Sequence, residues 1–393
     1  MLNKKTIKDI SISNKKVLLR CDFNVPLDKE TNSIITSDKR IVESLETINY
    51  LINAGAKVII ISHLGKFCKN LSLAPVAVRL SELLNKEVMF LNDCIGEDVD
   101  NAVKNMKSGD VILLENLRKY EEEELNDDEF AKKLAKGKNI FVNDAFGTAH
   151  RAHASTVGVT KYLDSVSGFL IEKEIEALDY AINNPVRPLL AIIGGSKVSS
   201  KIDVLNNLIN KVDTMLIGGA MAYTFLKALG YSVGKSMVED DKISMAKDIL
   251  NFAKEKNVNV VLPIDHIVAS EVSNDADVAE CNNDNFISDY MGVDIGNETI
   301  KLFVNEINKA KTIVFNGPVG IFELDAFSSG TKAIIEAMAN SSAITIIGGG
   351  DSASASEKFG FDKDMTHIST GGGASLEFME GKKLPGIEAL MDR

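Results

Sequence analysis

Arginine is scarce in this sequence of 393 residues: there are seven, and none lies between Arg187 and Arg393, so lysine carries the positive charge of the second half. Five of them (Arg20, Arg40, Arg79, Arg118 and Arg151) fall in the first 151 residues. Cysteine is sparse too: Cys21, Cys68, Cys94 and Cys281 stand far apart, with no CxxC pair and no metal-ligand spacing. That excludes a zinc-finger or disulfide scaffold and fits a reducing compartment. No apolar run approaches the ~18 residues that span a bilayer. The opening MLNKKTIKDISISNKK has lysines but no apolar segment behind them, so no secretion signal is expected and a cytoplasmic location is. A net charge of −12 argues against nucleic acid as a partner. Three signatures are also missing. GxxxxGK[ST] is absent, which excludes a P-loop NTPase; no GxGxxG follows the first strand of either half; and there is no HRD or DFG arrangement of a protein kinase.

With 45% hydrophobic and 25% charged residues, the chain has the profile of a soluble globular protein, and its length implies two domains. Its dominant pattern is a repeated unit of apolar run, polar or glycine-bearing tip, and helical stretch. The runs are VLLRCDF (17–23), KVIIISHLG (57–65), VILLENLR (111–118), NIFVNDAFG (139–147), LLAIIGG (189–195), TMLIGG (214–219), VVLPIDH (260–266), TIVFNGP (312–318) and AITIIGGG (343–350). They lack period-2 alternation, as parallel strands buried on both faces should. Amphipathic stretches such as 41–55 and 201–212 lie between them. The expected fold is α/β: two doubly wound, parallel-sheet, Rossmann-like domains (1–170 and 186–379) with a cleft between them. A helix at 171–185 joins them, ending before Pro185 and Pro188, which cannot continue it. The acidic run 121–124, with Asp127 and Asp128, reads as a solvated surface turn.

In open parallel sheets ligands sit beyond the carboxyl ends of the strands. In the first half those ends hold Asp22, Asn24, His63, Arg118 and the run 147–153. In the second they hold Gly194-Gly195-Ser-Lys197, Gly218-Gly219, Asn316-Gly317-Pro318 and Gly348-Gly349-Gly350-Asp351-Ser352. Taken singly each has a plain structural reading: Asp22 and Asn24 as turn residues, His63 as a satisfied strand-end histidine, the glycines as tight turns. Together they contrast, because arginine forks bind carboxylate and phosphate bidentately whereas glycine tips opening into helices offer backbone N–H groups to anions. A polyanion and a nucleotide on two domains is as far as spacing alone leads.

Read in order, the segments RCDFNVP (20–26), SDKRI (37–41), SHLG (62–65), LLENLR (113–118), FGTAHRAHAST (146–156), GGSKVSSKI (194–202), GGAMAYTFL (218–226), MGVDIG (291–296), NGPVGIFE (316–323), GGGDS (348–352) and STGGGASLEFMEGKKLPGIEAL (369–390) resemble the phosphoglycerate kinase family over essentially the whole chain. The resemblance implies a monomeric, glycolytic, hinge-bending enzyme. It would move a phosphoryl group between the acyl phosphate of 1,3-bisphosphoglycerate and ADP, with Mg²⁺ accompanying the nucleotide. It implies that the N-terminal domain holds 3-phosphoglycerate through Asp22, Phe23, Asn24, Arg40, His63, Leu64, Gly65, Lys66, Arg118 and Arg151. The C-terminal domain would hold the nucleotide through Gly195, Lys197, Lys201, Gly219, Gly292, Asn316, Pro318, Glu323, Gly349, Gly350, Asp351 and Ser352. Within that set Lys197 and Lys201 would meet phosphates, Glu323 the ribose and Asp351 the metal. Arg40 and Lys197 would stabilise the transferring group, helped by backbone donors at Gly372, and the tail 380–393 would return to the first domain.

Three positions depart from the family pattern: Lys66-Phe67 stands where Arg-Pro is usual, Lys119 where phenylalanine is, and Asn297 where proline is. The first replaces a fork by a point charge, so a weaker substrate contact is expected at Lys66; the others read as local packing and turn changes. Two rival readings stay open on the residues alone. One is a nicotinamide-dependent dehydrogenase, which lacks its glycine fingerprint here. The other is a catalytically silent homologue kept for binding, although Arg40, Arg118, Arg151, Lys197, Lys201 and Asp351 are all present.

Overall fold

The structure is a computed structural model and describes residues 3–28, 30–65 and 70–393. The chain divides into two compact units, one running to Glu176 and including Lys383–Arg393, the other spanning Ala177–Lys382. Lys66, Phe67 and Cys68 lie outside the described residues.

The first unit has six strands, β1 (Lys16–Arg20), β2 (Lys57–Ile61), β3 (Met89–Leu91), β4 (Val111–Leu114), β5 (Ile140–Asn143) and β6 (Asp164–Ser167). They pair in parallel in the order β3-β4-β2-β1-β5-β6. Strand β1 explains the lack of alternation. Val17 and Leu19 enter one core with Val58, Ile60 and Val142. Leu18 enters the opposite core with Ile59, Ile61 and Phe141. Helices cover both faces, so each position buries an apolar side chain worth ~1.5–3 kcal/mol. The last residues belong to this unit: Lys5 donates its N–H to the Met391 carbonyl (2.8 Å) and Gly386 to that of Ala149 (2.8 Å).

The second unit contains β7 (Leu189–Ile193), β8 (Thr214–Ile217), β9 (Asn259–Val261), β10 (Asp265–Ala269), β11 (Val278–Asn282), β12 (Met291–Ile295), β13 (Thr312–Asn316), β14 (Ile344–Ile347) and β15 (His367–Ile368). Six form a parallel sheet, β15-β14-β13-β7-β8-β9; the other three form a small antiparallel sheet, β11-β10-β12. The linking helix Phe169–Asn183 carries the division between units at Glu176. Its first free N–H groups, of Leu170 and Ile171, donate to Asp144 Oδ1 at 2.8 and 3.3 Å, which supplies the capping acceptor that a helix start needs.

Three local expectations are corrected. The run 260–266 is not one strand: Pro263 has no N–H to give a ladder, and the chain leaves β9 there to enter β10 of the other sheet. The helix at 41–55 is two, Lys39–Glu43 and Leu45–Asn53, broken at buried Ser44, whose hydroxyl donates back to the Arg40 carbonyl at 3.2 Å. The acidic run is a one-turn helix, Glu121–Glu124, with Glu123 wholly buried rather than solvated.

Each parallel sheet reverses its winding once. In the first, the chain leaves β1 toward β2 and later returns to β1's other side at β5; in the second, β7 is flanked by β8 and β13 in the same way. At such a switch point adjacent tips diverge and leave a crevice.

Candidate functional site

The tips of β1, β2, β4 and β5 carry Arg20, Asp22, His63, Arg118 and Arg151. Arg20 ends β1 and is almost fully buried; its Nε donates to Ser155 Oγ at 2.9 Å and its Nη2 lies 3.2 Å from His63 Nδ1. Asp22 accepts from Arg40 and sits 3.8 Å from His63 Nδ1. Burial by itself would raise the Asp22 carboxyl, but Arg40, together with Arg20, holds it below the usual carboxylate range. Arg118 pairs with Glu124, and Arg151 Nε donates to His150 Nε2 at 3.1 Å.

The arginines also act on the nearby histidines. Burial pushes His63 down to about 3, and Arg20, Arg118 and Arg151 add to that against the pull of Asp22. Burial and the same three arginines, with His150, push His153 down to about 3 as well. These imidazoles are therefore neutral at pH 7, and the cationic groups are the guanidinium forks.

Hydrogen bonds tie the neighbouring expected site residues together. Phe23 is a core residue whose N–H donates to Ser62 Oγ (2.8 Å); Leu64 is buried and its N–H donates to Asn116 Oδ1 (3.0 Å). Gly65 N–H donates to Asn24 Oδ1 at 2.8 Å, so Asn24 shapes the β2 tip. Asn116 also accepts from the Arg118 N–H (3.0 Å) and donates to the carbonyls of Leu64 and Leu71, tying the β4 tip to the β2 tip. Neither Asn116 nor Arg20 was singled out from sequence. An arginine closing a run of buried strand residues was the available signal for Arg20. Lys119 proves to be an electrostatic rather than a packing change: its Nζ lies 2.7 Å from buried Glu115, which also accepts from Ser72 and Leu73.

In the second unit the tips of β7 and β13 interlock. Gly194 donates to the Asn316 carbonyl and Gly195 to that of Pro318, both at 3.0 Å. Gly219 follows β8 with φ +67°, and a Cβ there would lie 2.6 Å from the Gly195 backbone, so only glycine fits. A pocket of about 270 Å³ opens beside these turns, and its lining includes Gly195, Gly219, Tyr223, Gly292, Pro318, Glu323 and Asp351. Gly292 lies on β12, in the small antiparallel sheet.

Next to the pocket, Lys201 donates to Asn316 Oδ1, while Asn316 Nδ2 donates to the Gly348 carbonyl at 2.8 Å. Burial lowers the Lys201 pKa, with Asp351 and Glu380 opposing. Ser352 Oγ accepts from the Gly317 N–H at 2.7 Å. Gly349 caps the helix Gly350–Phe359, placing Gly350 and Asp351 on its first turn. Lys197 is exposed in the loop after β7 and outside the pocket lining. Gly372, with φ +51°, caps the seven-residue helix Gly373–Met379. Asn297, in the place of the usual proline, donates from its backbone to Glu280 on β11 at 3.2 Å.

Among the described residues no group of three or more His, Cys, Asp or Glu could hold a metal ion. The exposed Asp351 carboxylate at the pocket rim is a lone hard-oxygen donor. That suits Mg²⁺, which typically binds through one or two carboxylates together with substrate phosphates.

Forked cations at the tips of one doubly wound sheet, and glycine turns beside a lysine at the tips of another, are the features of a phosphotransferase. Comparison with known proteins narrows the class. A sequence model described as Phosphoglycerate kinase matches residues 7–382. The phosphoglycerate kinase of Dictyoglomus turgidum is 57% identical, covering 99% of this chain and 100% of its own. That of Clostridium botulinum is 55% identical over 100% and 99%. The solved structure of phosphoglycerate kinase from Coxiella burnetii superposes with a TM-score of 0.90 at 45% identity, covering 98% of each chain. That from Pyrococcus horikoshii does so at 0.82 and 35%, again over 98% of each. The chain belongs to the phosphoglycerate kinase family. It is a phosphotransferase, and the reaction of its family is the glycolytic exchange of a phosphoryl group between 1,3-bisphosphoglycerate and ADP. No helix among the described residues is long and apolar enough to cross a membrane.

Proposed function

We propose that this chain makes ATP and 3-phosphoglycerate from ADP and 1,3-bisphosphoglycerate, and the reverse, with the glycerate held by the first unit and the nucleotide by the second. The observation that carries this division is the buried polar cluster at the strand tips of the first sheet, where Arg20 lies 3.2 Å from His63, Arg40 pairs with Asp22 and Arg151 donates to His150. A glycerate bearing carboxylate and phosphate has about three negative charges, which match several fixed forks better than mobile ammonium groups. In this reading 1–170 with the tail 380–393 is the substrate domain, 171–185 the connector and 186–379 the nucleotide domain.

On the nucleotide side, Gly195, Gly219, Gly292 and Pro318 let the nucleotide approach backbone closely, and Glu323 accepts from the ribose hydroxyls. Lys201, steered by Asn316, meets the phosphates, with Gly349, Gly350 and Ser352 shaping the turn. Asp351 would hold Mg²⁺, which supplies charge neutralisation on the phosphate oxygens. Phosphoryl transfer through a loose transition state leaves side chains mainly to position and neutralise. Among the described residues Arg40 gives one nitrogen to Asp22 and Lys197 is exposed; both serve the transferring group, with Gly372 adding backbone N–H donors. The glycerate carboxylate is already ionised, so no general base is required. Because the reactants are assigned to different units, transfer requires both to be bound at once and water to be kept from the acyl phosphate. We further infer a monomer in the cytoplasm.

The test is ADP formation from ATP by the purified chain with and without 3-phosphoglycerate, and with Mg²⁺ present or chelated. Turnover should require both. A folded protein that consumes ATP at the same rate without 3-phosphoglycerate overturns the proposal, and one that consumes none with it overturns the proposal and favours the silent-homologue reading.

A further inference from the structure

The acidic run 121–124 has no place in the chemistry above, yet its third member is the most deeply buried carboxylate beside the arginines. We propose that Glu123 is a positioning residue for the glycerate half-site, fixing Arg20 and the 151–156 segment through Ser155 so that Arg118 and Arg151 stay aimed at the substrate anion. This rests on the assignment of that half-site to 3-phosphoglycerate.

Glu123 and Ser155 are both fully buried. The Ser155 N–H donates to Glu123 Oε2 at 2.9 Å and its hydroxyl to Oε1 at 2.6 Å. With its single proton committed there, Ser155 Oγ can only accept toward Arg20, whose Nε donates to it at 2.9 Å. The relay therefore has one direction: guanidinium to hydroxyl to carboxylate. The backbone is tied at the same place, since Ala154 N–H donates to the Glu123 carbonyl at 2.9 Å. One residue beyond Ser155, the Thr156 hydroxyl donates to the Arg151 carbonyl at 2.9 Å. Glu123 thus reaches Arg20 through one side chain and the Arg151 segment through the next.

Charge points the same way. Arg20 feels two carboxylates, Glu123 and Asp22, and Asp22 is already shared with Arg40. Arg118 feels Glu123 together with the repulsion of Arg151 and Arg20. Without the Glu123 charge, Arg20 would keep only Asp22 and Arg118 only Glu124, and the carboxylate common to both guanidiniums would be gone, leaving their mutual repulsion less compensated.

The experiment compares Glu123→Gln, Ser155→Ala and the double variant in the full chain by steady-state kinetics and thermal melting. Loss of a hydrogen-bond relay to charged groups should raise the KM for 3-phosphoglycerate by about tenfold in Glu123→Gln while that for Mg-ATP stays within about twofold. Ser155→Ala should move the same constant the same way, and the double variant should be no worse than Glu123→Gln, because both cut one relay. Lowered melting temperature with both KM values unchanged would mean that Glu123 only supports folding, and would overturn the proposal. Should Glu123→Gln fail to fold, Ser155→Ala keeps every charge and decides by the same split. Arg118→Ala separates the two layers of inference. If it leaves the 3-phosphoglycerate KM unchanged, the half-site assignment is wrong. If it raises that KM while the relay variants do not, only the role of Glu123 is.

Discussion

Lys197 and Lys201 are four residues apart and equally charged, yet the structure predicts that losing each will have a different effect. Lys197 is exposed and its side chain has no partner among the described residues. Its truncation to alanine should therefore change stability by no more than the ~0.5 kcal/mol usual for surface substitutions. The loss should appear in the rate instead. One preorganised donor aimed at developing charge is worth ~3–4 kcal/mol, and each ~1.4 kcal/mol is tenfold, so kcat should fall by a hundredfold or more. Lys201 instead donates to Asn316, which is 1% exposed. Lys201→Ala strands that buried acceptor at a cost of ~1–3 kcal/mol, so the melting temperature should drop and the KM for nucleotide rise. The assay is ATP-dependent consumption of 3-phosphoglycerate at saturating substrate, beside thermal melts of both variants. A Lys197→Ala enzyme with near-normal kcat would remove Lys197 from the reaction. One that melted as early as Lys201→Ala would show that its apparent freedom is misread.

Two further substitutions probe the scaffold. Gly219→Ala must adopt φ +67° and place a methyl 2.6 Å from the Gly195 backbone, which cannot yield as a side chain could. It should raise the KM for Mg-ADP by about tenfold or more while leaving the glycerate KM near normal; equal effects on both would argue against a local nucleotide wall. Burial raises the Asp144 carboxyl from 3.8 to about 7. Between those values the folded chain keeps a proton that the unfolded chain has released, so this group's contribution is fully present at the acid end and lost as pH rises toward 7. Asp144→Asn should accordingly lose less stability than the parent between pH 4 and 7 in denaturant titrations; parallel curves would refute the cause given.

The long strands were legible because burial on both faces leaves an unbroken apolar run, as at 57–61 and 189–193. The edge strands β3 and β15, three and two residues long, have too little sequence to show a pattern. The β10–β12 sheet was hidden because 260–266 reads as one apolar run across Pro263, and because MGVDIG stood out as a motif rather than a strand. The arginine imbalance pointed toward a real cluster, but spacing alone did not place Arg20, whose role depends on Ser155 far along the chain. Four consecutive glutamates carry no periodicity to say which one turns inward; packing of a single helical turn against Ser155 selects Glu123.

The return of residues 383–393 to the first unit means that the part of the molecule synthesised earliest is also the last to be completed. Until 177–382 has been made, the Ala149 carbonyl beside His150 and Arg151 lacks the Gly386 N–H, and Asn143 lacks the Gly386 carbonyl that accepts from it at 3.0 Å. A nascent chain therefore carries an unbraced arginine loop, and removing the last eight residues, Gly386 included, would unbrace a loop encoded more than two hundred positions upstream.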